Sequence, residues 1–168
     1  FLYKDGNAAT GQLLGTVADL NWNVLDGLET GDLLNGGNGA NRLIGTIKAD
    51  VLFGGQGNDT MTGGAGADMF RYTSANQGVD SITDFMSGVD KIQVLGSAFA
   101  DLPAGALQAG KLVASASPQV NQAAAQFLYN TTTGVLSFDA DGTAGGATVN
   151  LMTLVGQPAL TAADLVVA

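Results

Sequence analysis

The chain has 168 residues, a net charge of −9 and neither cysteine nor histidine, which excludes disulfides, thiolate and imidazole metal sites, and Ser-His-Asp or Cys-His catalysis. The acidic balance repels nucleic acid and anionic lipid and leaves hard cations as the natural counter-charge. No stretch approaches the roughly 18 to 20 apolar residues of a membrane-spanning helix, so an enzyme, a nucleic-acid binder and a membrane-inserted protein all fit poorly.

Of the 15 acids only Glu29 is a glutamate. Most aspartates sit beside glycine or asparagine, the setting of tight turns lined with oxygen. Twenty-five glycines against three prolines imply backbone with φ > 0 or very close chain approach. Residue 1 is Phe1, and no basic segment followed by an apolar run precedes the body. The expectation is the tail of a larger protein, without a signal peptide of its own. Residues 1–17 then form a lead-in that packs on the body of the fold.

From Ala18 to Arg71 the chain falls into a nine-residue register: ADLNWNVLD, GLETGDLLN, GGNGANRLI, GTIKADVLF, GGQGNDTMT, GGAGADMFR. Position six is Asn23, Asp32, Asn41, Asp50, Asp59 and Asp68, and position eight is Leu25, Leu34, Leu43, Leu52, Met61 and Phe70. Three residues around position eight suit a short strand with its central side chain inward, since strand side chains alternate faces. The six residues before them turn the chain back. Their glycines (Gly45, Gly54, Gly55, Gly57, Gly63, Gly64, Gly66) permit left-handed torsions, and their carbonyls and carboxylates line an oxygen-rich rim suited to a hard cation.

This pattern resembles the RTX nonapeptide GGxGxDxUx, with U a large apolar residue, and residues 54–71 match it in full. The resemblance implies an all-β fold, a right-handed parallel β-roll of nonapeptide repeats over 18–79, with calcium ions as its ligand. One repeat makes half a turn, so repeats of like parity stack about 4.8 Å apart, the strand spacing. One edge then carries Asp32, Asp50 and Asp68, and the other Asn23, Asn41 and Asp59. The aspartate edge is expected to fill first, although Thr30 and Lys48 stand where its turns want glycine. Two aspartates ~4.8 Å apart repel by roughly 1 kcal/mol in water and about 3 to 4 kcal/mol at an effective dielectric of 20. A site of ~10⁻⁴ M affinity gains ~1.4 kcal/mol from roughly 1 mM calcium and almost nothing from submicromolar calcium. Folding would therefore report whether the chain is inside or outside a cell. Leu33, Val51, Phe53 and Met69 flank the inward column, and this apolar stripe is expected to lie beneath residues 1–17 or the C-terminal region.

After Arg71 the register fails. Gly78-Val79-Asp80-Ser81-Ile82-Thr83-Asp84-Phe85 and Gly88-Val89-Asp90-Lys91-Ile92 resemble the segment that closes RTX rolls in serralysin-like proteases. Ile82, Phe85, Ile92 and Val94 are expected inward, and Asp80 with Asp84 forms either a last calcium oxygen pair or a turn cap. FLYN-TTTG-VLSFDADG from Phe127 and ATVNLMTLVG beyond it read as strands of a C-terminal antiparallel β cap within residues 80–168. Asp139-Ala140-Asp141-Gly142 opens like an EF-hand loop, but Asn150 stands where its glutamate belongs, so a turn is expected. The closing Asp164-Leu165-Val166-Val167-Ala168 resembles the C-terminal ends of type I secretion substrates and equally suits a last strand.

The resemblance thus implies a non-catalytic calcium-binding module of a secreted or cell-surface bacterial protein. Its partners would be a type I secretion apparatus and an upstream functional domain. A polysaccharide-binding module and the terminal domain of a calcium-dependent adhesin or surface-layer protein are the alternatives.

Overall fold

The computed structural model describes residues 31, 33–100, 102–142 and 148–168. Seven short strands come first: β1 (Leu33–Asn35), β2 (Arg42–Ile44), β3 (Val51–Phe53), β4 (Thr60–Thr62), β5 (Met69–Tyr72), β6 (Asp80–Ile82) and β7 (Lys91–Val94). They alternate between two sheets, odd-numbered strands in one and even-numbered strands in the other, and every pairing among them is parallel. Each nonapeptide therefore makes half a turn of a flattened coil, as the period requires.

The reason lies in the apolar column. Leu34, Leu43, Leu52, Met61 and Phe70 are buried between the sheets, each the middle residue of a three-residue strand or the second of four. One inward side chain per strand leaves room for only one such row per sheet. Successive rungs supply the rest of the core, and Ile82, Phe85, Ile92 and Val94 continue it as expected.

The parallel sheets run on past the nonapeptides. Met61 pairs with Ile82 and Phe70 with Ile92, although the turns before β6 and β7 are longer than those before them. The remaining strands are β8 (Gly105–Ala106), β9 (Leu112–Ser115), β10 (Gln126–Asn130), β11 (Val135–Asp139), β12 (Val149–Leu154) and β13 (Leu165–Val167). The antiparallel cap is present in β10–β11–β12, built on an Asn130–Gly134 hairpin in which Gly134 takes φ 74°. It differs from the expectation in how it docks. β12 and β13 join β6 and β7 in parallel, and β9 lies parallel to β10, so the C-terminal region is mixed. Apolar burial explains this: Leu154 and Leu165, paired with Ile82 and Ile92, carry the inward column two rungs further. Phe99, Phe127 and Phe138 close the end, with ring centroids 5.0 to 6.0 Å apart.

The outer stripe is a second difference. Leu33 stays exposed and Val51, Phe53 and Met69 are half-buried, because the described C-terminal strands lengthen the sheets end-on instead of folding over this face. Residues 1–17, the other candidate cover, lie outside the described residues, as do Asn23, Leu25, Thr30 and Asp32.

Candidate metal centre

The turns between the sheets form two edges. One consists of turns 36–41, 54–59 and 73–79, and the other of turns 45–50, 63–68 and 83–90. Along each edge the aspartate ending a turn accepts a hydrogen bond from the backbone N–H at the matching position one rung below. Asp59 Oδ1 accepts from Asn41 N (2.8 Å), and Asp80 Oδ1 from Asp59 N (2.9 Å). On the opposite edge Asp68 Oδ1 accepts from Asp50 N (2.9 Å), and Asp90 Oδ1 from Asp68 N (3.0 Å). One carboxylate oxygen per rung is thus spent on register.

The second oxygen distinguishes the rungs. Asp59 Oδ2 and Asp68 Oδ2 are buried and have no hydrogen-bond partner, on residues only 2% and 1% exposed. A buried carboxylate oxygen without a donor carries the desolvation penalty of a charged group. Burial raises the Asp59 carboxyl, with the Asn41 N–H working against it. Burial also pushes Asp68 up to about 6, against the Asp50 N–H and reinforced by the charges of Asp90, Asp50 and Asp84. Both groups call for a counter-charge.

Glycine serves these turns in two ways. At Gly54 and Gly63 a Cβ would run into the Asp59 and Asp68 carboxylates, and at Gly45 into the Asp50 carboxylate and the Gly63 carbonyl. Gly55, Gly57, Gly64 and Gly66 take φ of 95° to 130°, which L side chains rarely adopt. The Gly54 and Gly63 main chain accordingly lies directly against the Asp59 and Asp68 carboxylates. No group of three carboxylates gathers at one point among the described residues, so a cation here draws most of its shell from carbonyls, the chemistry of a hard divalent ion.

The other predicted ligands separate from these two. Asp50 is buried, but its Oδ2 accepts from Thr46 N (2.6 Å) and Thr46 Oγ (3.0 Å). Neither Thr46 nor Lys48 has positive φ, so the turn is closed by the threonine where a glycine pair would hold it open. The sequence ranks this edge first by its acids, whereas the geometry leaves one partnerless oxygen on each edge. Asn41 can face either way: in one amide orientation Nδ2 donates to Gly36 O (3.0 Å) and Gly39 O (3.2 Å), and in the other Oδ1 joins those carbonyls as a three-oxygen group. Asp32 lies outside the described residues.

Asp80 and Asp84, read from the sequence as a possible oxygen pair, sit toward opposite edges, Asp80 opening strand β6 and Asp84 in the turn that follows it. Asp80 Oδ2 accepts from the buried Tyr72 hydroxyl (2.7 Å), and Asp84 caps Gly63 N and Gly64 N at 2.9 and 2.8 Å. Asp84 thus meets the turn one rung below with both of its oxygens. Asp139 likewise forms a turn, accepting from the backbone of Asp141 and Gly142. Asp90 is a ladder residue that the nonapeptide frame misses. A signal for it exists, because Asp90-Lys91-Ile92 repeats the acid-x-apolar spacing of Asp68-Met69-Phe70.

Residues 23–70 match the RTX calcium-binding nonapeptide repeat, in four copies. No curated protein matches the chain. Among solved structures, the chain is similar to the solution structure of the AlgE6R3 subunit from the Azotobacter vinelandii mannuronan C5-epimerase. The identity is 29% and the TM-score 0.54, over 94% of this chain and 86% of that one. RTX nonapeptide repeats bind calcium, which agrees with the two buried, partnerless carboxylate oxygens.

Proposed function

We propose that this chain, whose residues 23–70 are RTX calcium-binding nonapeptide repeats, folds on meeting extracellular calcium and serves as the C-terminal type I secretion and folding module of a larger exported protein. In this reading residues 1–17 lead in, 18–79 form the calcium-responsive roll, and 80–168 cap it and carry the export signal. The carrying observation is the pair of buried, partnerless oxygens, Asp59 Oδ2 and Asp68 Oδ2, one on each edge. Calcium at these oxygens, completed by main-chain oxygen of the neighbouring glycine turns, replaces the water that folding removes. At cytosolic calcium the penalty stands and the array is unfolded enough to be threaded through an exporter. At millimolar calcium it closes.

A calcium titration followed by far-UV circular dichroism tests this. β signal is expected to grow between submicromolar and millimolar calcium, and a complete β spectrum in chelator overturns the reading.

The likeness to a subunit of a mannuronan C5-epimerase favours one other reading, a polysaccharide-binding surface. Arg42 and Arg71 are both exposed but belong to different sheets, so they do not form one basic groove. Retention on immobilised polymannuronate that is lost in Arg42→Ala or Arg71→Ala would move the assignment to this class.

A further inference from the structure

On the edge of Asn41 and Asp59, the last rung is built differently from the one below it. Asp80 is 2% exposed and occupies the same place as Asp59, accepting the N–H of the rung beneath. Its second oxygen has a partner, the hydroxyl of Tyr72, which is itself 2% exposed. Gln77, 5% exposed, is buried in the turn between Tyr72 and Asp80. Its Oε1 accepts from Thr73 N (2.8 Å) and Ser74 N (3.0 Å), while Nε2 donates to Gly55 O (3.3 Å) in the turn below.

A carboxylate oxygen and a glycine carbonyl, the two oxygen types a bridging cation would hold together, here each receive a proton donor from the protein. Resting on the calcium-ladder reading of Asp59 and Asp68, we propose that Tyr72 and Gln77 are a built-in cation surrogate. They end the ion ladder at Asp59 and close the last rung without metal. The tyrosine hydroxyl is the decisive group. Replacing it with hydrogen leaves Asp80 Oδ2 in the state of Asp59 Oδ2 and Asp68 Oδ2, buried with no donor.

The surrogate also gives the fold a direction. The C-terminal end of the roll holds its acids with its own donors in any calcium concentration, and it stands ready as a template on which the metal-dependent rungs stack.

Calorimetric calcium titration of the full chain reads the consequence as an ion count. Tyr72→Phe is expected to bind one ion more than the wild type, and Tyr72→Phe/Asp80→Asn to return to the wild-type count. In chelator Tyr72→Phe should show less β signal than the wild type and recover it with calcium. An unchanged count, or a loss of structure that calcium does not restore, overturns the surrogate. Asp59→Asn and Asp68→Asn, titrated alongside, should each lose one ion. If both keep the full count, the ladder reading itself is wrong and the surrogate falls with it.

Discussion

The nonapeptide rungs and the C-terminal rungs share one apolar core and one backbone scheme, yet they settle their acids in opposite ways. In turns 54–59 and 63–68 each aspartate spends one oxygen on register and leaves the other bare. Further on, every ladder acid is fully engaged. Asp80 has Tyr72, Asp84 has the Gly63 and Gly64 amides, and Asp90 Oδ2 accepts from Met86 N (2.7 Å). Asp164, entirely buried, accepts from Ser87 Oγ, Gly88 N, Thr161 N and Thr161 Oγ. Burial alone would raise the Asp164 carboxyl, but these donors pull it below its ordinary value. Carboxylate oxygens left bare in one half are thus met by the chain's own donors in the other.

Calcium removal should break the two halves apart and is the largest effect expected. In chelator, the amides of Thr60 and Met69, which bond to Asn41 O and Asp50 O, should exchange hydrogen rapidly. Those of Val155 and Ala168, bonded to Ile82 O and Val94 O, should stay protected. Local openings of this kind are cooperative and spatially contiguous. Equal protection of both sets, with or without calcium, would abolish the contrast.

Gly63→Ala sharpens it by one site. The added Cβ would meet the Asp68 carboxylate at a position whose φ is not left-handed, so its damage falls on the ion cradle. Calorimetry should record the loss of one calcium. Gly88→Ala in the C-terminal half is the control: φ is +84° and nothing lies near the new Cβ. It costs roughly 1 to 2 kcal/mol of backbone strain and no ion. Equal ion counts in the two variants would remove the Asp68 cradle from the account.

The apolar column and the acid column up to Arg71 were legible in sequence because both repeat in a fixed frame, and the structure buries each described member. Beyond Arg71, turn length hides the pattern. The ladder spacing of 18 residues between Asn41 and Asp59 becomes 21 between Asp59 and Asp80, and 22 between Asp68 and Asp90. A strict nonapeptide frame therefore loses the acids whose strands still align. Asp80 and Asp84 look adjacent in sequence, but strand β6, which Asp80 opens, carries the chain from one edge to the other. Thr46 stands in a glycine column and Tyr72 and Gln77 lie beyond the register, so only coordinates reveal which oxygens their donors meet. Parallel docking of β12 and β13 likewise depends on which rung is still open, a property of the assembled sheets.

Proton binding gives a smaller and reversed version of the calcium contrast. Burial first of all pushes Asp68 and Asp80 up to about 6 and also raises Asp59. The folded chain therefore holds protons that the unfolded chain has released above its ordinary value of 3.8. Stability from Asp68 and Asp80 is fully present below that value and is lost as pH rises through about 6, and Asp59 acts in the same direction. The chelated protein should then show more β signal near pH 5 than near pH 7.5. With calcium the trend should invert, because protons compete with the ion for Asp59 Oδ2 and Asp68 Oδ2. Parallel pH profiles with and without calcium would settle the sign, and a chelated profile that rises with pH contradicts the burial of these acids.

The smallest effect separates charge from hydrogen bonding at the C-terminal end. Lys91 Nζ lies 3.6 Å from Asp164 Oδ1, close enough for an ion pair to be credited with holding the residue before the last strand to the start of β7. Its geometry argues otherwise. The lysine side chain is a third exposed, and such partly solvated pairs contribute about 0.2 to 1 kcal/mol. Asp164 meanwhile keeps two backbone N–H and two hydroxyl donors that do not depend on the lysine. Lys91→Ala should accordingly shift the chelator-state melting transition only slightly, with added salt shrinking the difference further. A shift of several kcal/mol would mean that the calcium-free end, like the array, rests on a charge it cannot satisfy from its own backbone.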